Sequence, residues 1–210
     1  MRCKKIYAAG LAAAITGFAT LAVPNLANAH NVAAEIEKVR VATEKYNDVN
    51  VALAEGFVPA PPGHCITAAT EGLPPEWGGM GIHYINPKML KITATQPRVD
   101  GQATHTDFLK PSILLYEPRA NGTMKLVGVE NLVFLNAWHA AGNAAPPSFA
   151  GRSFDTMADN TGTENDEAHQ FQPHHDQHVY FAKSANPMDQ LRPFSPSVTC
   201  EHFKGAGGGK

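Results

Sequence analysis

The sequence predicts an α+β domain: one or two N-terminal helices packed on an antiparallel sheet of about four strands. Three observations carry that prediction. Apolar residues recur at helical spacing between Asn31 and about Glu55. Short apolar runs follow, each bounded by proline, glycine or asparagine. Two of those runs are joined by Asn121-Gly122, a strong two-residue hairpin signal.

Ahead of the helical segment lies an export signal. Arg2, Lys4 and Lys5 precede an apolar run from Ala8 to Val23, Pro24 breaks it, and Ala27 and Ala29 frame an A-x-A cleavage site. The alternative is a membrane anchor, but the run is short for a spanning helix of about 20 apolar residues. Cleavage after Ala29 is therefore expected, with residues 30–203 forming one domain and the glycine-rich 204–210 a disordered tail. No later stretch is apolar enough to cross a bilayer, and the mature protein is expected to be periplasmic or secreted.

Loss of the signal leaves 14 Lys and Arg against 19 Asp and Glu, a net charge of −5. A mildly acidic domain without a basic run is a poor partner for nucleic acid or anionic lipid. Cys3 leaves with the signal, and Cys65 and Cys200 remain. An even pair in an oxidising compartment reads as a disulfide; the competing reading is a thiolate ligand or nucleophile.

In the helical segment Ala33, Ile36, Val39 and Val41 supply the apolar positions, and Glu35, Lys38, Arg40, Glu44 and Lys45 the polar ones. Asn47-Asp48 interrupts it, with Asp48 capping a second short helix that ends at Gly56. Five prolines between Pro59 and Pro75 force an irregular segment around Cys65. Strands are expected at Gly81–Ile85, Ile113–Tyr116, Lys125–Leu135 and His174–Lys183. A tight turn at Asn121-Gly122 would set Glu117 opposite Leu126 and Ile113 opposite Glu130. Ile113, Leu115, Glu117, Leu126, Gly128 and Glu130 would then share one face. From Gly142 to His169 the chain reads as a solvated acidic loop, and its stretch up to Asp166 as either a lid or a loose loop. The spacing of a calcium-binding EF-hand is absent there.

Ten histidines follow the signal, and three of them, His174, His175 and His178, fall within five residues. On a strand His174, Asp176 and His178 point to one face, roughly 7 Å apart per step of two. On a flat strand, therefore, His174 and His178 cannot share an ion, and His178, in the apolar half, is the better ligand. His83 is a polar residue centred in an apolar strand. Glu130 lies mid-strand among Val127, Val129 and Val133, where an unpaired carboxylate is costly to bury. Imidazole and carboxylate together suit zinc, copper or iron. His83, Glu130 and His178, on three strands, form the candidate metal set, with His174 and Glu117 as further possible ligands. Against this stands the blander reading of hydrogen-bonded or solvated side chains, since no H-E-x-x-H or H-x-H motif is present. His30, the expected mature N-terminus, offers a separate copper chelate through its amine and imidazole. No G-x-S-x-G serine and no phosphate-cradling glycine loop is present.

The chain resembles an uncharacterised group of exported bacterial proteins. The shared pattern runs through the segment from Asp48 to Phe57, a cysteine, Met80-Gly81-Ile82-His83-Tyr84 and Leu114-Leu115-Tyr116-Glu117-Pro118. It continues through Val127-Gly128-Val129-Glu130 and His178-Val179-Tyr180, and ends near Ser195–Cys200. The resemblance implies no activity, but its pattern includes His83, Glu117, Glu130 and His178. At Phe181-Ala182-Lys183-Ser184 the chain departs from the group's aromatic-rich version, which puts an aromatic-walled pocket in doubt.

The leading expectation is an exported metal-binding protein, used for storage, sensing or catalysis. The alternative is a metal-free module that binds a small molecule or a protein in a pocket rimmed by Tyr84, Tyr116 and Trp138.

Overall fold

The computed structural model describes residues 26–61, 63–162 and 166–205, with residues 26–30 as backbone alone. Most of the expected signal and tail, and the side chain of His30, lie outside that description.

The first helix, α1 (Leu26–Ala42), buries Val32, Ile36 and Val39, one stripe at i, i+4 and i+7. Val41 stays 54% exposed, off the stripe. The helix stops at Ala42, earlier than expected. Buried Thr43 turns its hydroxyl back to the Val39 carbonyl at 2.8 Å, a bond that competes with continued helix. A 3-10 turn (Glu44–Asn47) leads to α2 (Val49–Ala54), where the Asp48 carboxylate accepts from the Asn50 amide at 3.0 Å. Both the interruption and the Asp48 cap were legible in the sequence.

Short β1 (Val58–Pro59) and β2 (Cys65–Thr67) lie end to end along one edge of β3 (Gly79–Ile85). A separate ribbon follows, β4 (Ile92–Ala94) with β5 (Asp100–Gly101). Next come β6 (Ile113–Pro118), β7 (Met124–Phe134) and α3 (Leu135–Ala140). A small hairpin, β8 (Ser148–Phe149) and β9 (Arg152–Ser153), precedes β10 (Asp155–Met157) and β11 (His174–Tyr180). The main sheet is antiparallel, ordered β1-β3-β6-β7-β11-β10, with β2 beside β1 on β3. It therefore has seven strands, not about four, and one of the three helices lies in the second half of the chain. The expected strands are its four central ones. Those missed are two or three residues long, too short for an alternating pattern.

The hairpin corrects the expected register. Arg119 N–H donates to Thr123 O, and Gly122 N–H donates to Arg119 O, so the turn holds three residues with Gly122 at φ +81°. A three-residue loop closed by a left-handed glycine is a common hairpin connection. Glu117 consequently faces Lys125, and Tyr116 faces Leu126. A bulge at Val127 then restores the count, because Leu115 pairs with Gly128 and Ile113 with Glu130. Leu126 thus joins Tyr116 on the face opposite Glu130.

Each face of the sheet has its own core. On one, Ile82, Tyr84, Leu114, Tyr116, Val129 and Val179 meet the α1 stripe, Tyr46 and Phe57. On the other, Ile85, Ile113, Leu115, Leu132 and Phe134 meet Leu90, Val99, Ala103 and Phe171 from irregular segments. Helices close the first face. The second, covered largely by loops, retains a cavity. Cys65 and Cys200 form a disulfide, Cα–Cα 5.8 Å, tying β2 to the C-terminal segment. No helix among the described residues is long and apolar enough to cross a membrane.

Candidate metal centre

Register places the three candidate ligands. His178 on β11 sits directly across from Glu130 on β7, and Glu130 across from Ile113 on β6. His83 on β3 pairs with Leu115, two residues along β6 from Ile113 and on the same face. Side chains of all three rise from the loop-covered face and converge over β6. Just before His83, Gly81 has φ +95°, and a Cβ there would lie 2.8 Å from the Tyr116 carbonyl. Only glycine permits that close approach of β3 to β6.

His83 Nε2 is 3.1 Å from Glu130 Oε2, and His178 Nε2 is 3.5 Å from the same oxygen. All three donor atoms lie within 4.8 Å of one another, in the one such group among the described residues. The contacts are short, yet Glu130 Oε2 and both ring nitrogens of His178 lack a partner with hydrogen-bond geometry. A buried carboxylate oxygen and a buried imidazole are rarely left so. Two donors of a tetrahedral ion with bonds near 2.0–2.1 Å stand about 3.3–3.4 Å apart. The separations of 3.1 and 3.5 Å bracket that edge.

Electrostatics favour ligation. Burial drives the His178 imidazole down to about 4, against the opposing pull of Glu130, so it is neutral at pH 7. For Glu130, burial pushes the carboxyl up, but His178 and His83 outweigh it and hold the group at about 2. A neutral imidazole beside an ionised carboxylate is the state that binds a cation without first losing a proton.

The surrounding cavity has a volume of about 320 Å³. His174 and Asp176 line it but stand outside the trio. His174 Nδ1 is 2.8 Å from the Gln172 carbonyl, and its Nε2 is 3.8 Å from Asp176 Oδ2. Burial and the neighbouring charge of Glu130 push the Asp176 carboxyl well up. Glu117 is committed elsewhere: its Oε1 accepts from the Thr199 amide at 2.6 Å, in the turn that leads into Cys200. Tyr84 and Tyr116 line neither this cavity nor the cleft beside it. They pack edge to face at 4.9 Å in the core under the helices, and Trp138 donates to the Ala145 carbonyl from α3.

Sequence reasoning missed His169. It occupies a loop, where no strand periodicity could mark it, and its imidazole is held down to about 4, chiefly by burial. Its Nδ1 lies 3.7 Å from Glu71 Oε2, and both residues line the cavity.

Compared with known proteins, the chain matches no family model, no curated protein and no solved structure.

Proposed function

We propose that the mature chain is an exported metal-binding protein that holds one zinc, copper or iron ion through His83, Glu130 and His178. The observation that carries this reading is the convergence of two imidazole nitrogens on one buried, unpartnered carboxylate oxygen. In a metal-free protein that arrangement leaves desolvated polar atoms uncompensated, at a cost of roughly 1–3 kcal/mol each. An ion at their centre would satisfy all three residues at once. The donor set is nitrogen and oxygen only, because both cysteines of the mature chain are joined to each other. That composition suits borderline metals better than calcium or magnesium. Three protein ligands leave at least one position open, the arrangement of sites that bind a further molecule at the ion.

The test is elemental analysis of the exported protein beside a His83→Ala/His178→Ala variant. About one equivalent of metal, lost in the variant, is expected. Metal retained by the variant but lost on masking the N-terminus would move the site to His30. No metal even after loading at neutral pH would sink the reading and leave a metal-free binding module in its place.

A further inference from the structure

Beside the metal cavity lies a larger open cleft of about 1020 Å³, and the two share Glu71, Met80 and His169 as lining residues. Resting on the metal reading, we propose that this cleft binds a small amphipathic molecule whose donor group, a carboxylate or hydroxamate, reaches the ion while an apolar body of aromatic-ring size lies along Leu73, Trp77 and Phe194.

The cleft has an apolar floor of its own. Met80, Phe194 and Ala68, with Leu73 packed against them, form a cluster separate from the two cores of the sheet. Trp77 stands at the cleft 48% exposed, on a 3-10 turn that ends at Gly78. The two walls are fastened together. Gly79 N–H donates to Ser195 O at 3.1 Å, and Ser195 N–H returns the bond to Gly79 O at 2.9 Å. A Cβ on Gly78 would lie 2.0 Å from the Ser195 carbonyl, so the Trp77 turn is pressed against the Phe194 segment. A site built this way exists before its ligand arrives, and little ordering entropy opposes binding.

The end shared with the metal cavity is polar and equally fixed. His169 and Gln170 both adopt left-handed backbone, φ +50° and +66°, unusual for non-glycine residues. Asp166 holds that turn by accepting from the Ala168 and Gln170 amides at 3.1 and 2.7 Å. Arg98 anchors Asp166 in turn, at 2.9 Å, and reaches Asp159 at 2.6 Å. Strained backbone of this kind persists where the surroundings over-determine it, and it concentrates at functional sites. Its effect here is to present His169, with Glu71, at the junction of cavity and cleft. Polarity therefore falls from ion to cleft, the order in which a donor head and an apolar tail would lie. The lining does not point to a polyanion: Glu71, Glu76, Glu167 and Asp189 stand beside Arg152, Lys183 and Arg192, and Arg152 is taken by Asp155 and Gln177, and Arg192 by Asp189.

The test uses the exported protein loaded with cobalt(II), titrated with acetohydroxamate and with benzohydroxamate. Binding is followed by the visible cobalt absorption and by tryptophan fluorescence, with Trp138 as the internal reference. Benzohydroxamate is expected to bind about tenfold tighter or better, the gain for burying a ring's apolar surface, and to change the fluorescence of Trp77. Trp77→Ala, a change at a half-exposed side chain, is expected to reduce that preference to within about threefold. Equal affinities for the two probes, or a preference that survives Trp77→Ala, would overturn the cleft assignment and leave the metal centre standing. Failure of the wild-type protein to take up cobalt would overturn both.

Discussion

Glu130 is only 3% exposed, and its Oε2 lies near two imidazoles without a hydrogen bond to either. Such a residue serves the fold poorly, because a desolvated carboxylate oxygen with no partner is a liability. Its retention makes physical sense if a cation completes it. Glu130→Gln keeps the shape and removes the charge. Zinc should raise the melting temperature of the wild type, and that upward shift should vanish in the variant. Paired thermal melts with and without zinc measure both. A variant still stabilised by zinc would show that the ion sits elsewhere. Acid should act on the same cluster. His178 and His169 stand at about 4, and His174 is lowered as well, all chiefly by burial. In an unfolded chain they would titrate near 6.5. Between those values the unfolded state binds more protons, so stability rises with pH through the window and is lost as pH falls from about 6.5 to 4. Asp176 and Glu71 oppose the trend, because burial raises their carboxyls in the folded state. The lowered imidazoles, His175 among them, outnumber the raised carboxyls, so a net uptake of protons on unfolding is expected. Below 4.5 Glu130, held at about 2, adds a loss of its own as it protonates. Denaturant unfolding of the apo protein between pH 7 and 4 reads the slope directly, and a flat profile would contradict these burials.

At the scale of the element, strands β3, β6 and β7 decide whether the three ligands meet. Gly81 lets β3 approach β6 closely two residues before His83, and its φ of +95° admits no side chain without strain. Gly81→Ala should destabilise the protein by roughly 1–3 kcal/mol and weaken metal binding by displacing His83. Isothermal titration with zinc would expose the second effect, and unchanged affinity in a folded variant would show that β3 is more forgiving than its geometry implies. The β6–β7 hairpin shows what the sequence could and could not convey. Counting outward from an assumed two-residue turn set Ile113 opposite Glu130, and so they are. The assumed turn was one residue too short, and the bulge at Val127 compensates for that residue before Glu130 is reached. Neither feature leaves a trace in the hydrophobic pattern, because a bulge inside an all-apolar run changes no residue type. Strand periodicity could set His83, Glu130 and His178 apart as polar residues in apolar company. It could not reveal His169, whose place depends on a turn clamped from a distance by Arg98 and Asp166.

Over the whole molecule the two faces of the sheet are finished differently, and the disulfide belongs to that difference. Helices seal one face, whereas the other relies on segments without regular structure, which hold a polar cavity between them. The C-terminal segment carries Phe194 and Ser195 to the cleft and then returns to β2 at Cys200. Glu117 holds the Thr199 turn from β6, so the covalent link and a charged hydrogen bond fasten the same few residues. The bond spans 135 residues. Loop-closure entropy for such a span corresponds to about 5 kcal/mol of stabilisation, a large share of what a domain of this size possesses. A Cys65→Ala/Cys200→Ala variant should therefore unfold at markedly lower denaturant, and reduction should do the same to the wild type. Metal affinity should suffer less. His83 is held on its inner edge by β6, and Glu130 and His178 by each other's strands, whereas Cys65 lies on β2 along the outer edge of β3. Benzohydroxamate affinity should fall further than zinc affinity, because Trp77 and Phe194 keep their relation only while the C-terminal segment stays docked at Gly79. The comparison is a set of three titrations on one folded double variant: denaturant, zinc, and hydroxamate on the cobalt form. If zinc and hydroxamate binding declined together, cavity and cleft would be a single cooperative unit; loss of hydroxamate binding alone would mark the cleft as the part of the molecule that depends on the covalent tie.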